Sequence, residues 1–147
     1  SKEKPSEKYR TGYIDETYEP LYPFGYGLSY TQFEYGELSL DKEVINNTEF
    51  LTASITVTNK GTVDGKEIVQ LYLRDVVGSV TRPLKELKGY EKIYLKAGES
   101  KTVRFRITPE MLKFYNYNIE YVYEPGEFDV MVGCNSRDVQ TKRFTLR

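Results

Sequence analysis

Histidine and tryptophan are both absent from the 147 residues, and cysteine occurs once, at Cys134. Without histidine the chain cannot build a Ser-His-Asp or Cys-His catalytic unit of its own, nor a metal site that uses imidazole. A single cysteine rules out an intrachain disulfide and a thiolate zinc cluster. Charge of one sign is not in excess: Lys+Arg is 21, Asp+Glu is 22, and the formal net charge is −1. That balance lacks the basic footprint of a nucleic-acid partner. It also offers no basic amphipathic stretch for a membrane surface. No apolar run approaches the roughly 20 residues of a membrane-spanning helix. The opening residues, SKEKPSEKYR, are polar throughout and lack the apolar core of a secretory signal.

Aromatic side chains, by contrast, are plentiful, with 14 Tyr and 7 Phe. Together with Val, Ile and Thr they suit a pleated surface better than a helix, which predicts an all-β fold. The length fits one domain with a core of its own.

Residues 1–20 are polar, carry both signs of charge, and have prolines at Pro5 and Pro20. They read as an extended tail or linker. Residues 21–32 differ: in LYPFGYGLSYT, aromatics alternate with Pro23, Gly25 and Gly27, which suits neither a helix nor a regular strand. So many rings without a period need a surface to bury against. From Phe33 to the end, at 33–147, a two-residue period dominates.

Phe33 and Tyr35 share one phase and Leu38 and Leu40 the other, which predicts a bulge at Gly36. In FLTASITVTN, Leu51, Ala53, Ile55 and Val57 alternate with Thr52, Ser54, Thr56 and Thr58, the pattern of a half-buried strand. KEIVQLYLRD places Val69, Leu71 and Leu73 inward. VTRPLKEL, broken by Pro83, reads as a loop or edge crossing, and GYEKIYL as the next strand. KTVRFRIT sets Val103, Phe105 and Ile107 inward. Thr108 followed by Pro109 predicts one helical turn. YNIEYVYE and EFDVMVG, joined by Pro125-Gly126, predict a hairpin, and VQTKRFTL closes the chain. Seven to eight strands with evenly spaced turn signals predict a β-sandwich.

Nothing in the sequence matches HExxH, a Walker loop, GxSxG, CxxC or a calcium loop. No catalytic, metal-binding or cofactor-binding residue is therefore predicted, and no cofactor is expected. Paired carboxylates alone can hydrolyse glycosides, but Asp64, Glu67, Glu99, Glu120 and Glu124 fall in turns or on outward strand faces, where solvated surface is the ordinary reading. Tyr115, Tyr117 and Tyr121 form a candidate sugar platform, with Tyr123 beside them. Core or cross-strand pairing is the alternative. Cys134 reads as a small buried hydrophobe. Asn46-Asn47-Thr48 is formally a glycosylation sequon.

The segment LYPFGYGLSYTQFEY resembles the junction near the C-terminus of glycoside hydrolase family 3 enzymes, the β-glucosidases and β-xylosidases. VTNKGTVDGKEIVQLYLRD, VTRPLKELKGYEKIYLKAGESKTVRFRIT and EPGEFDVMVG resemble successive blocks of the same region, from about Leu21 to Leu146. The resemblance implies the fibronectin type III-like domain of such an enzyme, an immunoglobulin-like sandwich of seven to eight strands. It implies a non-catalytic accessory role beside an upstream catalytic barrel and an α/β domain of the same polypeptide. The parent would act on terminal β-D-glycosidic bonds with retention, in the periplasm or outside the cell, and a homodimeric parent is compatible with it. Leu21, Tyr22, Phe24, Tyr26, Leu28 and Tyr30 would then pack in the interdomain seam. One departure stands out: Phe128, in EPGEF, occupies the place of a tyrosine corner, so its hydroxyl bond must be replaced by packing. A carbohydrate-binding module and a surface adhesion-type sandwich are the competing readings.

Overall fold

The computed structural model describes residues 31–76, 85–115 and 118–147 in full and the backbone of 9–13. Twelve strands run through these residues: β1 (Tyr9–Tyr13), β2 (Thr31–Tyr35), β3 (Ser39–Leu40), β4 (Val44–Ile45), β5 (Leu51–Asn59), β6 (Gly65–Asp75), β7 (Glu86–Leu95), β8 (Ser100–Ile107), β9 (Phe114–Tyr115), β10 (Tyr121–Val122), β11 (Gly126–Gly133) and β12 (Val139–Leu146). Four of them, β3, β4, β9 and β10, are only two residues long. The remaining eight make the body of a two-sheet sandwich.

In the first sheet β5 is central, with β8 on one side and β2 and β3 in succession on the other, and β1 pairs outside β2. Tyr9–Tyr13, within the stretch expected to be linker, is therefore sheet backbone. The second sheet has the order β4-β12-β11-β6-β7. All its pairings are antiparallel except the short β12–β4 pair.

The core lies between the sheets. Leu51, Ala53, Ile55 and Val57 from β5, Val103, Phe105 and Ile107 from β8, and Val69, Leu71 and Leu73 from β6 are all buried, as the alternation predicts. Phe128 is fully buried and stacks on Phe144, with ring centroids 5.6 Å apart at 18°. Aromatic stacking thus fills the place where a tyrosine corner would hydrogen-bond.

The bulge at Gly36 is present. Tyr35 pairs with Val57 and Ser39 with Ser54, so four steps along β2–β3 match three along β5. One residue is extra, and the inward phase passes from Tyr35 to Leu38. Gln140, buried on β12 of the opposite sheet, satisfies the freed backbone. It accepts from the Leu38 amide at 2.8 Å and donates to the Gly36 carbonyl at 2.6 Å.

Three expectations change. The helical turn at Pro109–Leu112 is a 3-10 turn, and the Thr108 side chain makes no capping bond. β7 starts at Glu86, inside the stretch read as a loop, and pairs with β6 from there on. VTRP lies outside the described residues. The hairpin across Pro125-Gly126 does not form: Tyr121–Val122 pairs with Phe114–Tyr115. The reason is topological. Both edges of β11 are already taken, by β12 and β6, so no edge is left for the preceding segment.

Candidate functional site

The tyrosine cluster is the candidate sugar site. Tyr115 on β9 and Tyr121 on β10 face each other with ring centroids 5.0 Å apart, tilted by 40°, and both are exposed. Tyr123 is instead half-buried against the core, and Tyr117 lies outside the described residues. The pair is not a flat, open platform. Its geometry is fixed by Lys88, which sequence reading did not single out.

Lys88 is aimed by a second bulge. Leu71 pairs with Gly89 but Tyr72 pairs with Leu87, so Lys88 is the extra residue on β7. A bulge re-aims its side chain. The Lys88 ammonium lies 4.9 Å from the Phe114 ring and 5.5 Å from the Tyr121 ring, both cation–π distances. It donates to the Lys113 carbonyl and the Tyr121 hydroxyl, each at 3.2 Å, and pairs with Glu86 at 3.2 Å. The result is a short two-stranded flap, β9–β10, pinned to the edge of the second sheet. At its tip Ile119 is exposed and has φ 61°, a left-handed conformation unfavourable for a β-branched side chain.

A second cluster centres on Asp129, buried on β11. Arg74 on β6 approaches its Oδ2 at 2.8 Å and Arg143 on β12 its Oδ1 at 2.8 Å, so three adjacent strands are clamped through one carboxylate. Burial pushes this carboxyl up and is the largest single effect, but the hydrogen bonds from Arg143 and Arg74 together outweigh it. The net result is a carboxyl held below its ordinary value. Such a group is charged, fully engaged and unsuited to proton transfer.

The carboxylates named from sequence have structural partners. Asp64 accepts from the Ala97 amide at 3.0 Å, Glu99 from the Lys96 amide at 2.8 Å, and Glu67 from the Tyr35 hydroxyl at 2.8 Å. Burial drives the Cys134 thiol up to about 12, with the charges of Glu67 and Asp138 adding to it, which makes this an unreactive thiol. The Asn46 side chain is exposed and engaged with the Thr48 amide and hydroxyl in a turn. Among the described residues no group of three His, Cys, Asp or Glu side chains could hold a metal ion. No helix there is long and apolar enough to cross a membrane. Leu21, Tyr22, Phe24, Tyr26, Leu28 and Tyr30 all lie outside the described residues.

The fibronectin type III-like domain family matches residues 67–136. Those residues are fibronectin type III-like, and the relatives that match nearly the whole chain are a β-xylosidase and a β-glucosidase. A protein named putative β-xylosidase from Formosa agariphila is 50% identical over 139 residues, covering 95% of this chain and 18% of that protein. Periplasmic β-glucosidase from Salmonella typhimurium is 49% identical over 144 residues, covering 98% of this chain and 19% of that protein. The crystal structure of β-glucosidase from Listeria innocua in complex with gluconolactone superposes with TM-score 0.72 at 47% identity. The match covers 87% of this chain and 18% of that one. The chain thus spans under a fifth of the length of these relatives.

Proposed function

We propose that this domain is the non-catalytic accessory module of a longer family 3 β-glycosidase. The observation that carries the reading is the pairing of near-complete coverage of this chain with coverage of only 18–19% of the β-xylosidase and β-glucosidase relatives. The rest of such a polypeptide would hold the barrel and α/β domains and the two carboxylates that retaining hydrolysis of terminal β-D-glycosidic bonds requires. The module would stabilise those domains, with Leu21, Tyr22, Phe24, Tyr26, Leu28 and Tyr30 packed in the seam. The similarity to the periplasmic β-glucosidase of Salmonella typhimurium supports a periplasmic or secreted parent. The homodimer compatible with the family resemblance is tested by the parent's oligomeric state in solution.

The test is to read the gene upstream of Ser1 and assay the whole protein on an aryl β-glucoside and an aryl β-xyloside. Hydrolysis by the whole protein, none by residues 1–147 alone, and a lower melting temperature when 1–147 are deleted is the expected outcome. A reading frame without a barrel and an α/β region overturns the proposal. Sugar binding is the second reading, favoured by the exposed Tyr115–Tyr121 pair. Glycan titration with Tyr115→Ala and Tyr121→Ala beside it decides that point, and absence of binding at millimolar sugar removes it.

A further inference from the structure

Charges and rings are sorted between the two phases of β6 and β7. The inward phase of β6 holds Val69, Leu71 and Leu73, all buried. Glu67 and Asp75 continue that phase, and on β7 Glu91 pairs with Val69 and Glu86 with Leu73. Every carboxylate of the two strands is therefore in the inward phase. The outward phase carries the cations Lys66, Arg74 and Lys92 and the rings Tyr90 and Tyr94, and no acid. In a chain of net charge −1 this sorting creates a basic, aromatic face.

The face has a spacing and a polarity. Tyr90 and Tyr94 are each 67% exposed and lie four residues apart on one strand, a span of about 13 Å. Lys66 is across from Tyr94 and Lys92 across from Ile68, so the two lysines are diagonal neighbours, about 7–8 Å apart. Arg74 is held by Asp129, but Lys66 and Lys92 have no ion-pair partner among the described residues. Like charges set side by side on a face without acids repel, and a bound anion relieves that repulsion. Gln70, across from Tyr90, accepts from the Tyr72 hydroxyl at 2.6 Å, which leaves its amide NH2 to donate. The groups between the rings are thus N–H donors, and the ligand they suit supplies acceptors and negative charge. Exposed rings separated by donors suit successive flat units of an extended chain. Two free cations over that span suit a sparse anion, since a nucleic-acid duplex with one charge per about 1.7 Å would call for a denser basic surface. We propose that the outward face of β6 and β7 binds an extended acidic glycan. Its pyranose faces rest on Tyr90 and Tyr94, its uronate carboxylates meet Lys66 and Lys92, and Gln70 donates to an oxygen between them. The site is separate from the Tyr115–Tyr121 pair, and it does not depend on the accessory-module reading.

The test is affinity electrophoresis of the full-length protein in native gels containing glucuronoxylan, with uronate-free xylan as the neutral control and a thymidine oligonucleotide as a second polyanion. Glucuronoxylan is expected to retard the protein, and about 1 M salt, where the screening length falls to about 3 Å, to weaken the retardation. Tyr90→Ala with Tyr94→Ala is expected to lower the affinity about tenfold. Lys66→Gln with Lys92→Gln leaves both rings in place and is expected to lower it about threefold, so the proposal stays testable if the tyrosine variant fails to fold. Tyr115→Ala with Tyr121→Ala is expected to change nothing. No retardation by glucuronoxylan overturns the proposal, as does retardation that survives both the ring and the lysine substitutions. Equal retardation by the two xylans overturns it in favour of a neutral-sugar surface. Stronger binding of the oligonucleotide overturns it in favour of single-stranded nucleic acid. Each of these failures leaves the accessory-module reading standing, because hydrolysis of the aryl glycosides decides that reading separately.

Discussion

Asp129 shows what one buried charge does here. Its side chain is 2% exposed while Arg74 and Arg143 are 39% and 51% exposed, so the carboxylate is enclosed and the guanidinium groups reach it from the surface. The folded carboxyl sits below the ordinary value, so the unfolded chain binds more protons once the pH falls below about 4. The stabilisation is therefore complete above that pH and is lost as the pH drops through the folded value. Asp129→Asn is expected to cost about 1–3 kcal/mol at pH 7, less than a fully enclosed ion pair because both arginines can return to water. Urea unfolding at pH 7 and pH 3 checks this, and the gap between the two proteins should narrow at pH 3. An equal gap at both values would refute the ionic account. The strand itself is legible in FDVMVG, but the triad is not. Arg74 is 55 residues away and Arg143 is 14, and only the register of three strands brings them together.

Among the elements, the two bulges explain why some features could be read and others could not. At Gly36 the inward phase switches from Tyr35 to Leu38, and a change of phase between large apolar residues is visible in sequence. At Lys88 the residue left over is charged and lies between Leu87 and Gly89, so no phase change announces it. Its consequence is nevertheless large, because it turns an ammonium onto the flap of β9 and β10. Two residues per strand cannot hold a hairpin unaided, and Lys88 supplies the anchor through two rings, a carbonyl and a hydroxyl. Lys88→Met keeps the aliphatic stem and removes the charge. It is expected to cost about 1–3 kcal/mol and to speed amide exchange across 113–122 while β5 and β8 stay protected. Unchanged exchange in that window would show that the flap is held by Phe114 packing alone.

For the molecule as a whole, apolar packing between the sheets is supplemented by buried polar ties. The Tyr35 hydroxyl reaches Glu67, Gln140 reaches Gly36 and Leu38, and the Asn59 amide reaches the Leu95 carbonyl at 3.1 Å. The first and third join a strand of one sheet to a strand of the other, the second joins β12 to the bulge after β2, and each polar group thereby keeps a partner. The sandwich was legible because alternation specifies which face of each strand is buried. These ties were not, because they depend on how the two sheets are stacked. Thr31 and Gly65 form a close approach between the two sheets, at the first residue of β2. Gly65 has no side chain there because Thr31 already fills the space, a steric requirement that concerns contact between sheets. Gly65→Ala is expected to destabilise by about 1–3 kcal/mol through overpacking. Thr31→Ser removes the methyl group at 2.3 Å but leaves the Thr31 Cβ at 3.0 Å, so adding it to Gly65→Ala should recover part of the loss. A double-mutant cycle by urea unfolding measures that recovery. Strict additivity of the two substitutions would mean that the sheets separate locally to admit the methyl, and that the entry of β2 is not a fixed contact of the sandwich.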